Sequence, residues 1–366
     1  MRRPSRPSGP APLNDLNGAN PRPRRAPLLP PDFDLAKVAP RPAGGGSRPL
    51  LAISDDRERS SALTPTGGFL AGYTHTLNPA VGCVLGRSFC GQYCYARDEM
   101  PARVVEGATG LAWGEFLISK NRLDQALAGD LEKAARRPAD HPHHVARLRV
   151  FLASTTEPCL GPALGVTRAC LRVFARFPVG RIVLQTRSPA VLELGDELDS
   201  LRDRLIVSLT LESDCDEPHR DLPAPLLPRI SARRGALEAL SARGIPVCAA
   251  VSPCLSIKDP AEFAAWIAQH ADFALVDTFV SGDGRCGART ARTTVPEVYR
   301  QRGVDWRDET AARSFFVQLE GLLGRPRAGW SREGFASLAT VALPSRTGHA
   351  TSGAEVELAV PPRSQL

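Results

Sequence analysis

Asn78-Pro79-Ala80-Val81-Gly82-Cys83, running on to Phe89-Cys90-Gly91-Gln92-Tyr93-Cys94-Tyr95-Ala96, places three cysteines within twelve residues. Glycines stand where a backbone would have to fold closely around a compact object. Three thiolates on one short loop point to a metal centre, and two kinds fit. A 4Fe-4S cluster held by Cys83, Cys90 and Cys94 leaves one iron open to a substrate or cofactor. A zinc ion needs a fourth ligand, for which His75 is the nearby candidate, although Cys90-x3-Cys94 lacks the two-residue knuckle of many structural zinc sites.

Outward from this loop, short apolar runs alternate with amphipathic segments, the pattern of repeated βα units. Strands are predicted over 68–77, 115–119, 148–153, 181–185, 205–211, 246–251 and 273–279. Helices are predicted between them, with Asn121 as N-cap of a helix over 122–136 and Gly244 closing another as its C′ residue. On the helix over 162–176, Val166, Cys170, Val173, Phe174 and Phe177 share one face, so Cys170 reads as a core residue. The expected fold is α/β, a full or partial (β/α) barrel of six or seven parallel strands, with a doubly wound sheet as the alternative. Either arrangement puts the chemistry at the C-terminal ends of the strands.

The expected organisation is an Arg/Pro-rich disordered tail over 1–50, a core over 66–285, a helical C-terminal extension over 286–345 and a disordered tail over 346–366. The formal net charge is +7, but nine basic residues against three aspartates fall in the first 50 positions. The basic balance therefore says little about what the core binds. Nine cysteines without an apolar leader predict a reducing compartment and a soluble, cytoplasmic monomer. No run approaches the roughly 20 apolar residues of a membrane span.

The loop resembles that of the radical SAM superfamily, and within it the proteins similar to spore photoproduct lyase. Leu77-Asn78-Pro79-x-x-Gly82-Cys83 and Tyr93-Cys94-Tyr95-Ala96 carry the resemblance. Thr156-Glu157-Pro158, Thr186-Arg187-Ser188, Val207-Ser208-Leu209-Thr210 and Arg233-x3-Leu237 through Gly244-Ile245-Pro246-Val247 and Pro253 extend it. The resemblance implies a 4Fe-4S cluster on Cys83, Cys90 and Cys94 and S-adenosylmethionine chelated to its open iron. It implies reductive cleavage to a 5′-deoxyadenosyl radical that abstracts hydrogen from a substrate, with nucleic acid as a possible substrate class. An electron donor such as flavodoxin or ferredoxin follows. So do cofactor contacts: Tyr93 to adenine, Arg187 to the carboxylate, and Thr155, Thr156 and Glu157 to the amino group and ribose.

Two departures stand out. The usual Cys-x3-Cys-x2-Cys is here Cys83-x6-Cys90-x3-Cys94, a lengthening whose closure entropy is only about 0.4 kcal/mol. Ser154 occupies the strand end where spore photoproduct lyase has a hydrogen-donating cysteine, which argues against repair of the spore thymine dimer unless Cys159 substitutes. The alternative reading is a non-catalytic zinc module with an Arg-rich tail that binds nucleic acid. His141, His143 and His144 read as a loop, and Cys159, Cys248, Cys254 and Cys286 have no short-range partners. Gly282-x-Gly284-x-x-Gly287 follows a strand without a helix pattern opening after it, so it is a weak nucleotide-binding signal.

Overall fold

The computed structural model describes residues 29, 34, 36, 38–40, 42, 46, 48–220 and 222–344. The tail expected over 1–50 lies mostly, and that over 346–366 wholly, outside them.

The strands are β1 (Leu51–Asp55), β2 (Thr64–Pro65), β3 (His75–Leu77), β4 (Ala80–Gly82), β5 (Phe116–Lys120), β6 (Arg149–Leu152), β7 (Arg181–Thr186), β8 (Leu205–Thr210), β9 (Val247–Val251), β10 (Phe273–Val276) and β11 (Ala328–Trp330). The helices are α1 (Phe89–Tyr93), α2 (Met100–Thr109), α3 (Leu123–Ala135), α4 (Pro162–Ala175), α5 (Gly195–Asp199), α6 (Ile230–Ala242), α7 (Pro260–His270), α8 (Val295–Gln301), α9 (Thr310–Leu323) and α10 (Ser331–Leu338).

The main sheet has the order β11-β10-β9-β8-β7-β6-β3-β2 and is open. All its pairings are parallel except that of the two-residue β2 with β3. Its strands read as continuous apolar runs because both faces are covered. Leu152, Leu184, Val207, Ala249 and Val276 join α3, α4, α6, α7 and α9 in one core. Phe151, Val183, Ile206, Cys248 and Leu275 point the other way, onto Tyr73, Phe335 and Leu338. The crossover helices thus share one face, so the sheet is singly wound, as in a barrel, without closing into one. The doubly wound alternative is not realised.

Several expectations change. The run at 115–119 forms β5, but in a separate sheet, β1-β5-β4, where it pairs parallel with β1 and antiparallel with β4. An apolar run carries no label for its sheet, and this one backs the cysteine loop. The first strand spans only His75–Leu77, because Gly68–Leu70 is a 3-10 turn and Gly72 packs directly on α10, where a Cβ would sit 2.6 Å from Ala336 Cα. Asn121 does not cap α3; its amide donates to Asp56 Oδ1, and Arg122 is the N-cap. The extension expected to be helical over 286–345 also holds a strand, since α9 leads to β11, parallel to β10.

Other local readings hold. Gly244 is left-handed (φ 79°) after α6 and its N–H reaches Ser241 O at 2.9 Å. Cys170 is fully buried on α4. His141, His143 and His144 lie in the connection before β6, where the His144 ring accepts from Ala146 N.

Candidate active site

Asn78-Pro79 ends β3 and turns the chain into β4, and Cys83 follows at the C-terminal edge of the main sheet. The turn is pinned from β5: Lys120 N donates to Pro79 O at 3.0 Å and Lys120 Nζ to Asn78 O at 2.8 Å. Burial, with Arg59 adding to it, pushes the Lys120 amine down to about 8.

The residues that lengthen the loop form a turn folded against its own end. A Cβ on Gly91 would sit 1.8 Å from Gly86 O, and one on Gly86 would sit 2.4 Å from Gly114 Cα. Gly82 is left-handed (φ 87°) with Phe116 O where its Cβ would be. The glycines are therefore there for close approach. The extra length becomes packed backbone, and Cys90 and Cys94 lie at either end of the short α1.

Cys83, Cys90 and Cys94 all line one cavity of about 570 Å³ at the strand ends. Burial, then the neighbouring Cys90 and Cys94, pushes the Cys83 thiol well up, and burial with Cys90 lifts Cys94 to about 11. Ligation of a metal must therefore displace protons. Cys90 Sγ lies 2.9 Å from Ser88 Oγ. Among the described residues no three His, Cys, Asp or Glu side chains converge on a single-ion site. His75 is not in the cavity; its ring packs edge-on against His143 at 5.6 Å. Three cysteines on one cavity are a donor set that fits a cluster, and His75, the fourth ligand expected for zinc, lies outside it.

Across the cavity stand Ser154, Thr155, Thr156 and Glu157 after β6 and Arg187 after β7. Asn78 Oδ1 accepts from Thr155 N at 3.0 Å, and Thr156 Oγ1 donates to Gly82 O at 2.7 Å, so the β6 end is tied to the cysteine loop. Glu157 accepts from Arg187 N (2.8 Å), Cys159 N (3.0 Å) and Thr186 Oγ1 (2.5 Å). Its burial pushes the carboxyl upward against these donors.

Arg187 is anchored from beneath. Its Nε donates to Glu212 Oε1 at 2.9 Å and its Nη2 to Ser252 O at 3.3 Å and the Tyr93 hydroxyl at 3.4 Å. Glu212 is fully buried and also bonds Arg233, itself fully buried. Burial alone would raise the Glu212 carboxyl, but Arg233 and Arg187 outweigh it and hold it near 2. Arg187 Nη1 makes no hydrogen bond among the described residues, and Arg187 lines the cavity. A guanidinium so held is preorganised for a carboxylate.

Tyr93 is placed differently from the sequence reading. It packs edge-on between Phe89 and Phe279, under Arg187, and does not line the cavity; Tyr95 does, with its hydroxyl on Ser154 O. Cys159 is buried in the helix-side core, outside the cavity. Glu212, Gln185, Tyr95, Glu99, Arg289 and Asp277 are site residues that sequence reasoning missed. Of these, Glu212 carried a weak signal, an acid directly after an apolar strand.

The main sheet is open, and the three-cysteine loop lies at the C-terminal ends of its parallel strands. Among the solved structures the chain resembles are those of spore photoproduct lyase: a variant with bound AdoMet and dinucleoside spore photoproduct (TM-score 0.51), and single-site variants with and without that dinucleoside (TM-score 0.50 each). Each is 14% identical, over 76% of this chain and 81% of the other. No family model matches the chain, and no curated protein does. No helix among the described residues is long and apolar enough to cross a membrane.

Proposed function

We propose that the chain is a radical SAM enzyme. Cys83, Cys90 and Cys94 hold a 4Fe-4S cluster, and S-adenosylmethionine binds between it and the ends of β6 and β7. Bound there, the pair supplies a one-electron cleavage that yields a 5′-deoxyadenosyl radical able to abstract hydrogen. The observation that carries this reading is one cavity lined by all three cysteines and by Thr155, Thr156, Glu157 and Arg187.

The chain's own residues bind and orient. Arg187, fixed by Glu212, takes the carboxylate of S-adenosylmethionine. Glu157 Oε2, with one backbone donor already on it, takes the amino group. Thr155 and Thr156 hold the ribose side, and Tyr93 acts through Arg187, which it supports, more than by stacking on adenine. The buried walls exclude water that would quench a carbon radical.

Two of the similar structures contain a dinucleoside spore photoproduct, and a nucleic-acid-type substrate is proposed here. Repair of that photoproduct is not, because Ser154 lines the cavity and Cys159 does not. A serine O–H bond is too strong to return hydrogen to a carbon radical. Electrons come from a small carrier such as flavodoxin or ferredoxin.

Anaerobic reconstitution tests the cofactor. Iron and sulfide near four each per chain are expected; a single zinc with no sulfide contradicts the reading.

A further inference from the structure

The cavity extends past the cofactor side. β10 lies three strands from β7 in the sheet order, up to about 14 Å across it. At that end the lining is Ser252, Asp277, Gly282–Arg285 and Phe335. Asp277 follows β10 directly, is 2% exposed, and faces the cavity.

No cation pairs with it among the described residues. Its own backbone donor is Thr278 N, 2.9 Å from Oδ1, and the nearby Ser331 hydroxyl donates to Ser281 O at 3.1 Å. The chain closes tightly over the other side: a Cβ on Gly282 would meet Asp277 Oδ2 at 2.2 Å. That contact accounts for the first glycine of Gly282-x-Gly284-x-x-Gly287, and Gly284 and Gly287 take left-handed backbone (φ 71° and 82°). Asp283 braces the same loop by accepting from the N–H groups of Arg285, Gly287, Arg289 and Thr290. The glycines shape a wall around a carboxyl and do not cradle a nucleotide phosphate.

A buried carboxyl without a cation is stable only if it keeps its proton or meets a matching ligand. We propose that Asp277 is a substrate-recognition residue: a neutral carboxylic acid whose O–H donor and C=O acceptor pair with the N–H and adjacent C=O of a nucleobase lactam edge such as that of thymine. The role as substrate contact rests on the radical SAM reading; the pairing chemistry does not.

The charged surroundings agree. Glu309 at the start of α9, with Arg313 on it, and Asp283 in the loop are the acids nearby, and Arg285 and Arg289 lie farther along the loop. Burial, then Glu309 and Asp283, raises the Asp277 carboxyl to about 7, so it is largely protonated at slightly acid pH. A protonated acid presents one donor and one acceptor along its edge, as one edge of a carboxamide does.

The test is binding of thymidylyl-thymidine to the cluster-loaded protein with S-adenosylmethionine, by calorimetry across pH. Wild-type affinity is expected to be level below about pH 7 and to fall about tenfold per unit above it. Asp277→Asn, which keeps the donor and acceptor, is expected to bind without that pH dependence, and Asp277→Leu and an N3-methylthymine dinucleotide to lose binding. Level wild-type binding at all pH, undiminished binding by Asp277→Leu, or no binding of the probe by wild type overturns the inference. 5′-Deoxyadenosine formation in the same samples separates the two claims: if it persists while the binding pattern fails, only the assignment of Asp277 falls.

Discussion

Arg187 Nε lies 2.9 Å from Glu212 Oε1, and the opposite oxygen of that carboxylate is bonded to Arg233. The cation offered to the cavity at the end of β7 is thus held by a buried acid at the end of β8, which is itself neutralised from α6. Two arginines on one carboxylate leave a net positive charge, and only Arg187 faces the cavity.

Replacing Glu212 with Gln strands Arg233 in the core without a counter-charge. Breaking a buried pair in this way costs about 3–5 kcal/mol, so Glu212→Gln is expected to lower the melting temperature by roughly 5–10 °C at neutral pH. The folded Glu212 carboxyl titrates near 2, below its ordinary 4.5. Its stabilisation is therefore complete above about 4.5 and lost as pH falls toward 2. Thermal melts of both proteins are expected to converge toward low pH; a gap that stays constant contradicts the pairing.

Arg187→Leu removes the carboxylate clamp and leaves Glu212 paired with Arg233. A charged hydrogen-bonded contact is worth about 1.5–3 kcal/mol, so affinity for S-adenosylmethionine is expected to fall by roughly ten- to a hundredfold. Cluster loading, measured by iron content, is expected to stay at the wild-type level. Lost iron would mean that Arg187 supports the loop instead.

Gly91→Ala forces a Cβ to within 1.8 Å of Gly86 O and pushes the two ends of the loop apart. Overpacking of this kind costs about 1–3 kcal/mol, which falls on the loop. Reduced iron incorporation with unchanged far-ultraviolet circular dichroism is the expected result. Full incorporation would show that the Gly86–Gly91 contact does not set the loop.

Asp277→Asn removes a carboxyl raised to about 7. Between its unfolded value near 4 and 7 the native state holds more protons, so wild-type stability falls as pH rises through that window. The variant is expected to melt higher than wild type at pH 8, with the difference shrinking below pH 7 and closing near pH 4. A constant difference across pH would exclude the uncompensated acid.

The cysteine loop and most βα units were legible in the sequence because they are local: a spacing, a period, a capping glycine such as Gly244. The sheet that Phe116–Lys120 joins was not, because the same apolar run suits a central strand of either sheet, and only the antiparallel pairing with Ala80–Gly82 decides it. Tyr93 and Tyr95 flank one cysteine equally in sequence; a turn of backbone sends the first into the core and the second to the cavity. Glu212 and Asp277 gain their roles from Arg187, Arg233 and Gly282, contacts that no local pattern announces. Resemblance supplied Arg187, Thr155, Thr156 and Glu157, and the fold brings all four to the cavity that the cysteines line.

The central claim is that Cys83, Cys90 and Cys94 form a working radical SAM centre. The most direct measurement is 5′-deoxyadenosine released from S-adenosylmethionine by the anaerobically reconstituted protein under dithionite, beside a Cys83/Cys90/Cys94→Ala triple variant. Product from the wild type and none from the variant is the expected result. A wild-type protein that carries the full iron and sulfide complement and yields no 5′-deoxyadenosine would contradict it.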